Sequence, residues 1–410
     1  MNFEEFKLKP EMMRAVHDAR FTEPTAIQEK CIPLILEGKD VVGQSMTGSG
    51  KTAAFAIPIL EMIEKGKGAQ ALVLTPTREL CVQITGVVEQ LGYHLKIRVA
   101  SVFGGVSISP QMDAIRSAEI IIGTPGRILD HLERGTLDLK HIRFLVLDEV
   151  DRMSDMGFID DVERIIHHTP KHRQGLLFSA TVTQEVQRLI RNHLTNPVTI
   201  QTQSYVETNL LNQSYYNVMK HDKFSLLVHL LKQHPNEFCI VFCATRSEVD
   251  RLTRNLKRQD LRAMAIHGGL TQNKRLKAIE MLKEQRLSIL VATDVAARGL
   301  DIQNVNYIYN YDVPKSSQDY IHRIGRTARA GKSGLAVTLL SDKDFENFSR
   351  VLQDRSLKIK CEETPAFERV RFDTGQQSRG RLPAHGNYHQ GHQRGPPQRT
   401  GGGQRGNWRR

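Results

Sequence analysis

Short, uniformly apolar runs alternate with helical segments along most of this chain, and that alternation restricts its fold more than any other feature. Val41-Val42, Ala71 to Leu74, Arg98 to Phe103, Ile120 to Ile122, Phe144 to Leu147 and Leu176 to Phe178 read as strands. Most lack the polar half of a two-residue period, so both faces must be covered, as in a parallel sheet between layers of helices. The intervening segments, such as Arg127 to Arg134 and Phe158 to His168, carry apolar residues at helical spacing. A polar stretch from about Gln201 to Asn212 breaks the rhythm, which restarts with Phe238 to Cys243, Ala263 to Ile266, Ile289 to Val291, Val305 to Tyr309 and Leu335 to Leu340. A chain of 410 residues is long enough for two cores. The expectation is an α/β protein of two tandem domains, 1–204 and 205–365, followed by a tail over 366–410. No strict internal repeat is visible in the residues themselves.

From Thr374 onward the chain is polar, glycine-rich and basic, with seven Arg, no Lys and no acid, which is +7 of the total +12. Such a segment cannot bury enough apolar surface to offset its ordering entropy and is predicted to be disordered. Its Arg-Gly pairs at 379–380, 394–395 and 405–406, interleaved with His385, Tyr388, His389, His392 and Trp408, suit sequence-tolerant contacts to the phosphates and bases of a nucleic acid. An inert solubilising tail is the alternative. The positive net charge favours a polyanionic partner. The five cysteines are scattered, mostly in apolar runs, and are expected to be buried free thiols; Cys239 and Cys243 lack the second Cys/His pair that a structural zinc needs. No run approaches membrane-spanning length, and the first residues lack a basic region followed by an apolar stretch, so a cytoplasmic, reducing setting is expected.

Val41-Val42 leads into Ser45-Met46-Thr47-Gly48-Ser49-Gly50-Lys51-Thr52 and then an apolar segment with helical character. Strand, glycine-containing loop and helix are the context in which backbone N–H groups and a helix N-terminus cradle phosphates. Thr47, Gly48, Ser49 and Gly50 form the cradle. Lys51 is expected at the β/γ-phosphates and Thr52 offers its hydroxyl to Mg²⁺; Ser45 stands where the general pattern has its first glycine. Farther on, Phe144 to Leu147 runs into Asp148-Glu149-Val150-Asp151, placing carboxylates at the C-terminal edge of a sheet, where open α/β folds bind ligands. Asp148 is expected to hold Mg²⁺ through water, and Glu149 to orient or deprotonate the attacking water. Phosphoanhydride hydrolysis follows.

At these residues the chain resembles the DEAD-box RNA helicase family, with the box written Asp-Glu-Val-Asp. The resemblance runs from Phe3 to about Leu357 and implies two RecA-like domains. Phe21-Thr22-Glu23-Pro24-Thr25-Ala26-Ile27-Gln28 looks like the family's adenine-recognising segment; Gln28 is then implied to bond the adenine edge and Phe3 to stack on the ring. Pro76-Thr77-Arg78, Gly104-Gly105, Thr124 with Arg127, and Ser179-Ala180-Thr181 follow in the family's order, and then Arg246, Gly268, Gln272, Arg275, Thr293, Arg298, Gly299 and Asp301. The last block is His322-Arg323-Ile324-Gly325-Arg326-Thr327-Ala328-Arg329, with Ala328 where many members have Gly. Singly these are turns of little information, but their joint order is specific.

Pro76, Thr77, Arg78, Gly104, Gly105, Thr124 and Arg127 in the first domain, and Arg246, Gly268, Gln272, Arg275, Thr293 and Arg298 in the second, are expected to line an RNA backbone track. Gly299 and Asp301 are carried over as second-domain groups near the nucleotide. Arg326 and Arg329, three apart in a predicted helix, share a face and become arginine fingers, while Asp151, Ser179, Thr181 and His322 couple the two sites. The expected enzyme is an ATP-dependent RNA helicase using ATP and Mg²⁺. It acts on single-stranded RNA or short duplexes, as a monomer, with ribonucleoprotein components as further partners. An ATP-gated RNA clamp, a DNA helicase and a passive RNA-binding protein are the rivals; the nucleotide motifs disfavour the last.

Overall fold

The apolar runs pair side by side in a computed structural model that describes residues 2–45, 48–202, 211–235, 237–284, 286–297, 305–328 and 333–374. The first lobe contributes β1 (Val41–Gln44), β2 (Ala71–Leu74), β3 (Val99–Val102), β4 (Ile120–Gly123), β5 (Phe144–Asp148), β6 (Gln174–Ser179) and β7 (Val198–Gln201), in the order β3-β4-β2-β5-β6-β1-β7. The second contributes β8 (Leu211–Asn217), β9 (Cys239–Phe242), β10 (Ala263–Ile266), β11 (Ile289–Ala292), β12 (Tyr307–Asn310), β13 (Gly334–Leu340) and β14 (Lys360–Glu362), in the order β10-β11-β9-β12-β13-β8-β14. Neighbouring strands are parallel in both sheets. Counted from its own first strand, the second sheet repeats the first strand for strand, a repeat the residues themselves do not disclose.

The two-residue period of a strand sends neighbouring side chains to opposite faces. Phe144 and Val146 of β5 join one apolar cluster with Phe55, Ile59 and Ile84 from helices on that side. Leu145 and Leu147 join a separate cluster with Ile128, Val162, Ile165 and Leu189 on the other. β2 is therefore apolar at every position, and β5 at every position up to the Asp148 that ends it. Three strands were not legible by that signal: β7 alternates half-buried and exposed residues, β14 is exposed throughout, and β8 is largely polar. The polar stretch expected at 201–212 thus begins at the end of β7 and closes on the start of β8.

The expected start of the tail at 366 is corrected. Phe367, Val370 and Phe372 pack on the second lobe's core, with the Phe372 ring 4.9 Å from that of Phe224. The Val370 N–H donates to Ser225 Oγ at 3.1 Å, and Arg369 reaches Asp222 at 2.8 Å. Apolar and charged residues alternate here without pairing in a sheet, which hid the segment. Residues 375–410, where the tail was read, lie outside the described residues.

Two further features bear on function. Gly43 in β1 lies against Phe178, and a Cβ there would stand 2.6 Å from the ring. Gly43→Ala is therefore expected to overpack the strand that feeds the phosphate loop and cost about 1–3 kcal/mol; an unchanged denaturant midpoint would contradict this. In the second lobe, Lys223 begins the helix Lys223–Gln233 after β8. It is buried, with its ammonium 2.6 Å from Asp344 and lying over the Tyr311 ring. No helix among the described residues is long and apolar enough to cross a membrane.

Candidate active site

Beyond β1, Gly48 and Gly50 take φ values of 86° and 93°, and Gly50 caps the helix Lys51–Met62. Only glycine takes this conformation without strain. A Cβ on Gly50 would also stand 2.5 Å from Gln28 Nε2. Gln28 donates through Nε2 to the Gly50 carbonyl at 3.1 Å, and its Oε1 accepts from the Thr25 N–H at 3.0 Å. The residue expected at the adenine thus also braces the loop. Lys51 is buried and donates to the Ser45 carbonyl at 2.9 Å, folded over the loop; Thr52 follows it on the first turn, and Thr47 is outside the described residues.

Phe3 is not placed as expected. A one-turn 3-10 helix, Phe3–Phe6, buries both of its phenylalanines, and Phe3 is only 3% exposed within the core. Phe21, half-buried and stacked on it at 6.2 Å, is the more accessible aromatic ring.

The strand β5 delivers the carboxylates. Asp148 is its last residue, and Glu149 turns the chain with φ 53° into the helix Val150–Asp155. The Glu149 N–H donates to Asp148 Oδ1 at 3.0 Å. Burial pushes the Asp148 carboxyl up to about 7, against the opposing pull of Lys51. Burial works the same way on Glu149, but Arg152, Lys51 and Arg326 more than offset it and hold that carboxyl below its ordinary range. Arg152, which no motif in the sequence singles out, touches Glu149 at 3.2 Å.

Asp151, Ser179 and Thr181 are brought together. Asp151 Oδ2 accepts from both the N–H and the hydroxyl of Thr181 at 3.1 Å. Ser179 Oγ accepts from the Asp151 N–H at 3.2 Å and donates to the Thr181 carbonyl at 2.7 Å. Gln318 of the second lobe donates to Thr181 Oγ1 at 2.8 Å, a link no spacing signalled. Lys51, Glu149, Asp151 and Arg152 face His322 and Arg326 across one cleft.

Arg326 is not on a helix. The helix Ser317–Ile324 ends at Gly325, and Thr327 turns away to bridge with Val305, its hydroxyl donating to the Val305 and Asn306 carbonyls. Arg326 lies in the turn between, 4% exposed. The shared helix face expected for Arg326 and Arg329 is therefore absent, and Arg329 itself is outside the described residues, as are Arg298, Gly299 and Asp301. Ala328, standing where many family members have Gly, takes φ 54°, a conformation that costs an L-residue about 1–2 kcal/mol.

The expected RNA residues fall in matched sets. Pro76-Thr77-Arg78 follows β2, and Thr245-Arg246 follows β9, the strand in the same place of the second sheet. Thr77 and Thr245 cap the helices Arg78–Gly92 and Arg246–Lys257 through their side chains. Gly104-Gly105 follows β3, and Gly268-Gly269 follows β10. A Cβ on Gly105 would collide with the Arg78 guanidinium, and one on Gly268 would stand 3.2 Å from Arg246 Nη2. Thr124 follows β4, and Thr293 follows β11. Two arginines have protein partners: Arg127 donates to the Val106 carbonyl at 3.2 Å, and Arg275 crosses to Glu79 at 2.8 Å. Gln272 opens the helix Gln272–Lys283, and its side chain is outside the described set.

Comparison with known proteins fits this geometry. The DEAD/DEAH box helicase family matches residues 25–189, and the helicase conserved C-terminal domain matches residues 222–331. The chain is 44% identical over 363 residues to the DEAD-box ATP-dependent RNA helicase CshA of Geobacillus kaustophilus, covering 88% of this chain and 77% of that one. It is 44% identical over 359 residues to the ATP-dependent RNA helicase CshA of Listeria monocytogenes, covering 87% and 69%. Among solved structures, S. cerevisiae Dbp5 bound to RNA and ADP BeF3 has a TM-score of 0.80 at 32% identity, covering 88% of this chain and 96% of that one.

Proposed function

This chain belongs to the DEAD-box RNA helicase family and is an ATP-hydrolysing RNA helicase built on two RecA-like domains, and from that premise we propose a residue-level account of its work. The cleft that brings Lys51 and Glu149 of one lobe opposite His322 and Arg326 of the other carries the account. Asp148 to Asp151 serve as the family's box, with Val150 in place of alanine; its burial in the core supports tolerance of the bulkier side chain. The domains span 1–204 and 205–372.

In this account the backbone from Thr47 to Gly50 and the Lys51 ammonium receive the phosphates. Gln28 meets the adenine edge with Phe21 beside it, and Gly299 and Asp301 approach from the second domain. Glu149 orients or deprotonates the attacking water, while Arg326 and Arg329 offset the charge that develops on the transferred phosphoryl group. Asp151, Ser179, Thr181 and His322 carry the state of the nucleotide to the second lobe. Mg²⁺ fits the donor set: the buried Asp148 carboxylate and the Thr52 hydroxyl are oxygen donors of the kind it takes. Mg²⁺ also asks for only one or two carboxylates beside phosphate and water. Asp148, through water, and the Thr52 hydroxyl would hold it, and it would neutralise phosphate charge.

RNA lies along the matched strand-end sets of both lobes, held by its backbone without base reading. ATP and RNA together close the lobes, and hydrolysis reopens them. The working unit is a monomer in the cytoplasm, acting on single strands, short duplexes or ribonucleoprotein particles, with the tail as an RNA tether. The test is ATPase stimulation by single-stranded RNA, short duplexes and matched DNA, with duplex displacement followed in parallel. RNA is expected to stimulate and DNA not to; equal stimulation by DNA overturns the RNA assignment, and hydrolysis without displacement converts the enzyme to an ATP-gated clamp. A chain ending at Asp373 is expected to show weaker RNA affinity and a flatter salt dependence, by about 0.7 for each phosphate that the tail no longer neutralises. Identical slopes and affinities would reject the tether.

A further inference from the structure

Arg152 makes two hydrogen bonds that none of these roles uses. It lies three residues after Glu149, in the first turn of the short helix that Glu149 caps, so its side chain lies over the turn that presents Glu149. Its Nη1 donates to Glu149 Oε2 at 3.2 Å, and its Nη2 crosses to the second lobe and donates to the Val295 carbonyl at 2.5 Å. The Arg152 and Glu149 side chains are 6% and 10% exposed. The bond to Glu149 is thus made largely out of water, where charged hydrogen bonds are strong and their loss is costly, while the bond to the Val295 carbonyl is partly buried.

The acceptor is itself held in place. Val295 sits in the four-residue helix Asp294–Ala297, too short to give its own carbonyls a full set of partners. Asp294 receives Arg323 Nε and Nη2 at 2.5 and 2.8 Å, and Arg323 Nη1 is fixed by Asn310 Oδ1 at 2.9 Å and the Asp312 carbonyl at 2.6 Å. Arg323 stands on the helix that ends just before Arg326. One guanidinium therefore joins Glu149 to the second-lobe framework that carries Arg326.

We propose that Arg152 is a positioning residue that fixes the Glu149 carboxylate only when the second lobe is seated, so that docking of that lobe and placement of the catalytic carboxylate are a single event. The inference rests on the reading of Glu149 as the group that acts on water. With the lobes apart, Nη2 loses the Val295 carbonyl, and the guanidinium that bonds Glu149 is no longer fixed by the second lobe. A planar guanidinium can hold two acceptors at once, which a lysine ammonium, a point charge on a flexible stem, does less well.

Two measurements test it. In RNA-stimulated hydrolysis, Arg152→Ala and Arg152→Lys are expected to lower kcat about 10- to 100-fold, the effect of a misplacement of order 1 Å, with the KM for ATP nearly unchanged. In a Glu149→Gln background, where turnover does not intervene, Arg152→Ala is expected to cut the ATP-dependent gain in RNA affinity about tenfold, as the loss of one charged hydrogen bond across the lobes would. RNA affinity without nucleotide should not move, which separates this outcome from misfolding; Arg152→Lys keeps the buried charge should the alanine variant fail to fold. An unchanged kcat overturns the proposal, and so does a fall in kcat with the ATP-dependent gain in RNA affinity intact. Normal hydrolysis by Glu149→Gln alone would instead overturn the reading of Glu149.

Discussion

Glu149→Gln is expected to bind ATP as the unmodified chain does and to lose about 10² to 10⁴ in turnover, the usual contribution of a positioned general base. The amide keeps the size of the side chain and an oxygen for Arg152, so the cleft keeps its shape while the basic oxygen is lost. Lys51→Ala should do the reverse of the first part. It removes the buried ammonium that lies over the phosphate loop and opposes the upward push on Asp148. Loss of a charged hydrogen bond of about 1.5–3 kcal/mol corresponds to roughly ten- to a hundredfold weaker ATP binding. Titration with a fluorescent ATP analogue, set beside phosphate release under saturating RNA, separates the two. Undiminished hydrolysis by Glu149→Gln would remove Glu149 from the chemistry.

Arg326→Ala is expected to reduce RNA-stimulated turnover about 10³-fold or more, the scale of a finger that stabilises transferred phosphoryl charge. RNA binding without nucleotide should stay close to its starting value. Arg326 is buried in the cleft, and its charge is felt by Glu149 on the opposite lobe, so its loss is local to the reaction. Arg329→Ala is expected to act in the same direction. Single-turnover hydrolysis at saturating ATP and RNA is the measurement; a normal rate for Arg326→Ala would mean that the second lobe does not complete the active site.

The central strands and the cleft carboxylates were legible because each depends on local pattern. A strand buried on both faces must be apolar throughout, so β2, β4 and β5 are evident by eye. Gly50 and Lys51 declare themselves because a phosphate loop needs both a left-handed turn and a cation. What escaped depends on partners far along the chain. β8 is polar yet paired on both sides, by β13 and β14. Phe3 is buried by a short turn that packs it on Phe6 and Phe21. Arg326 was expected on a helix, but the helix stops at Gly325 and Thr327 bridges to Val305. Arg152 and Gln318 could not be found at all from spacing, since each acquires its meaning from an atom on the other lobe.

The buried Lys223 opens a different line of thought. It begins the helix after the first strand of the second sheet, as Lys51 does in the first, so the two lysines are counterparts in a duplicated unit. Lys51 rests on a backbone carbonyl at 2.9 Å, which a stronger anion can replace. Lys223 is closed in a charged pair with Asp344 at 2.6 Å and backed by Tyr311. The second copy thus supplies its own anion and leaves no seat for one from outside. The anion that would sit at this position is thus already one of the protein's own side chains.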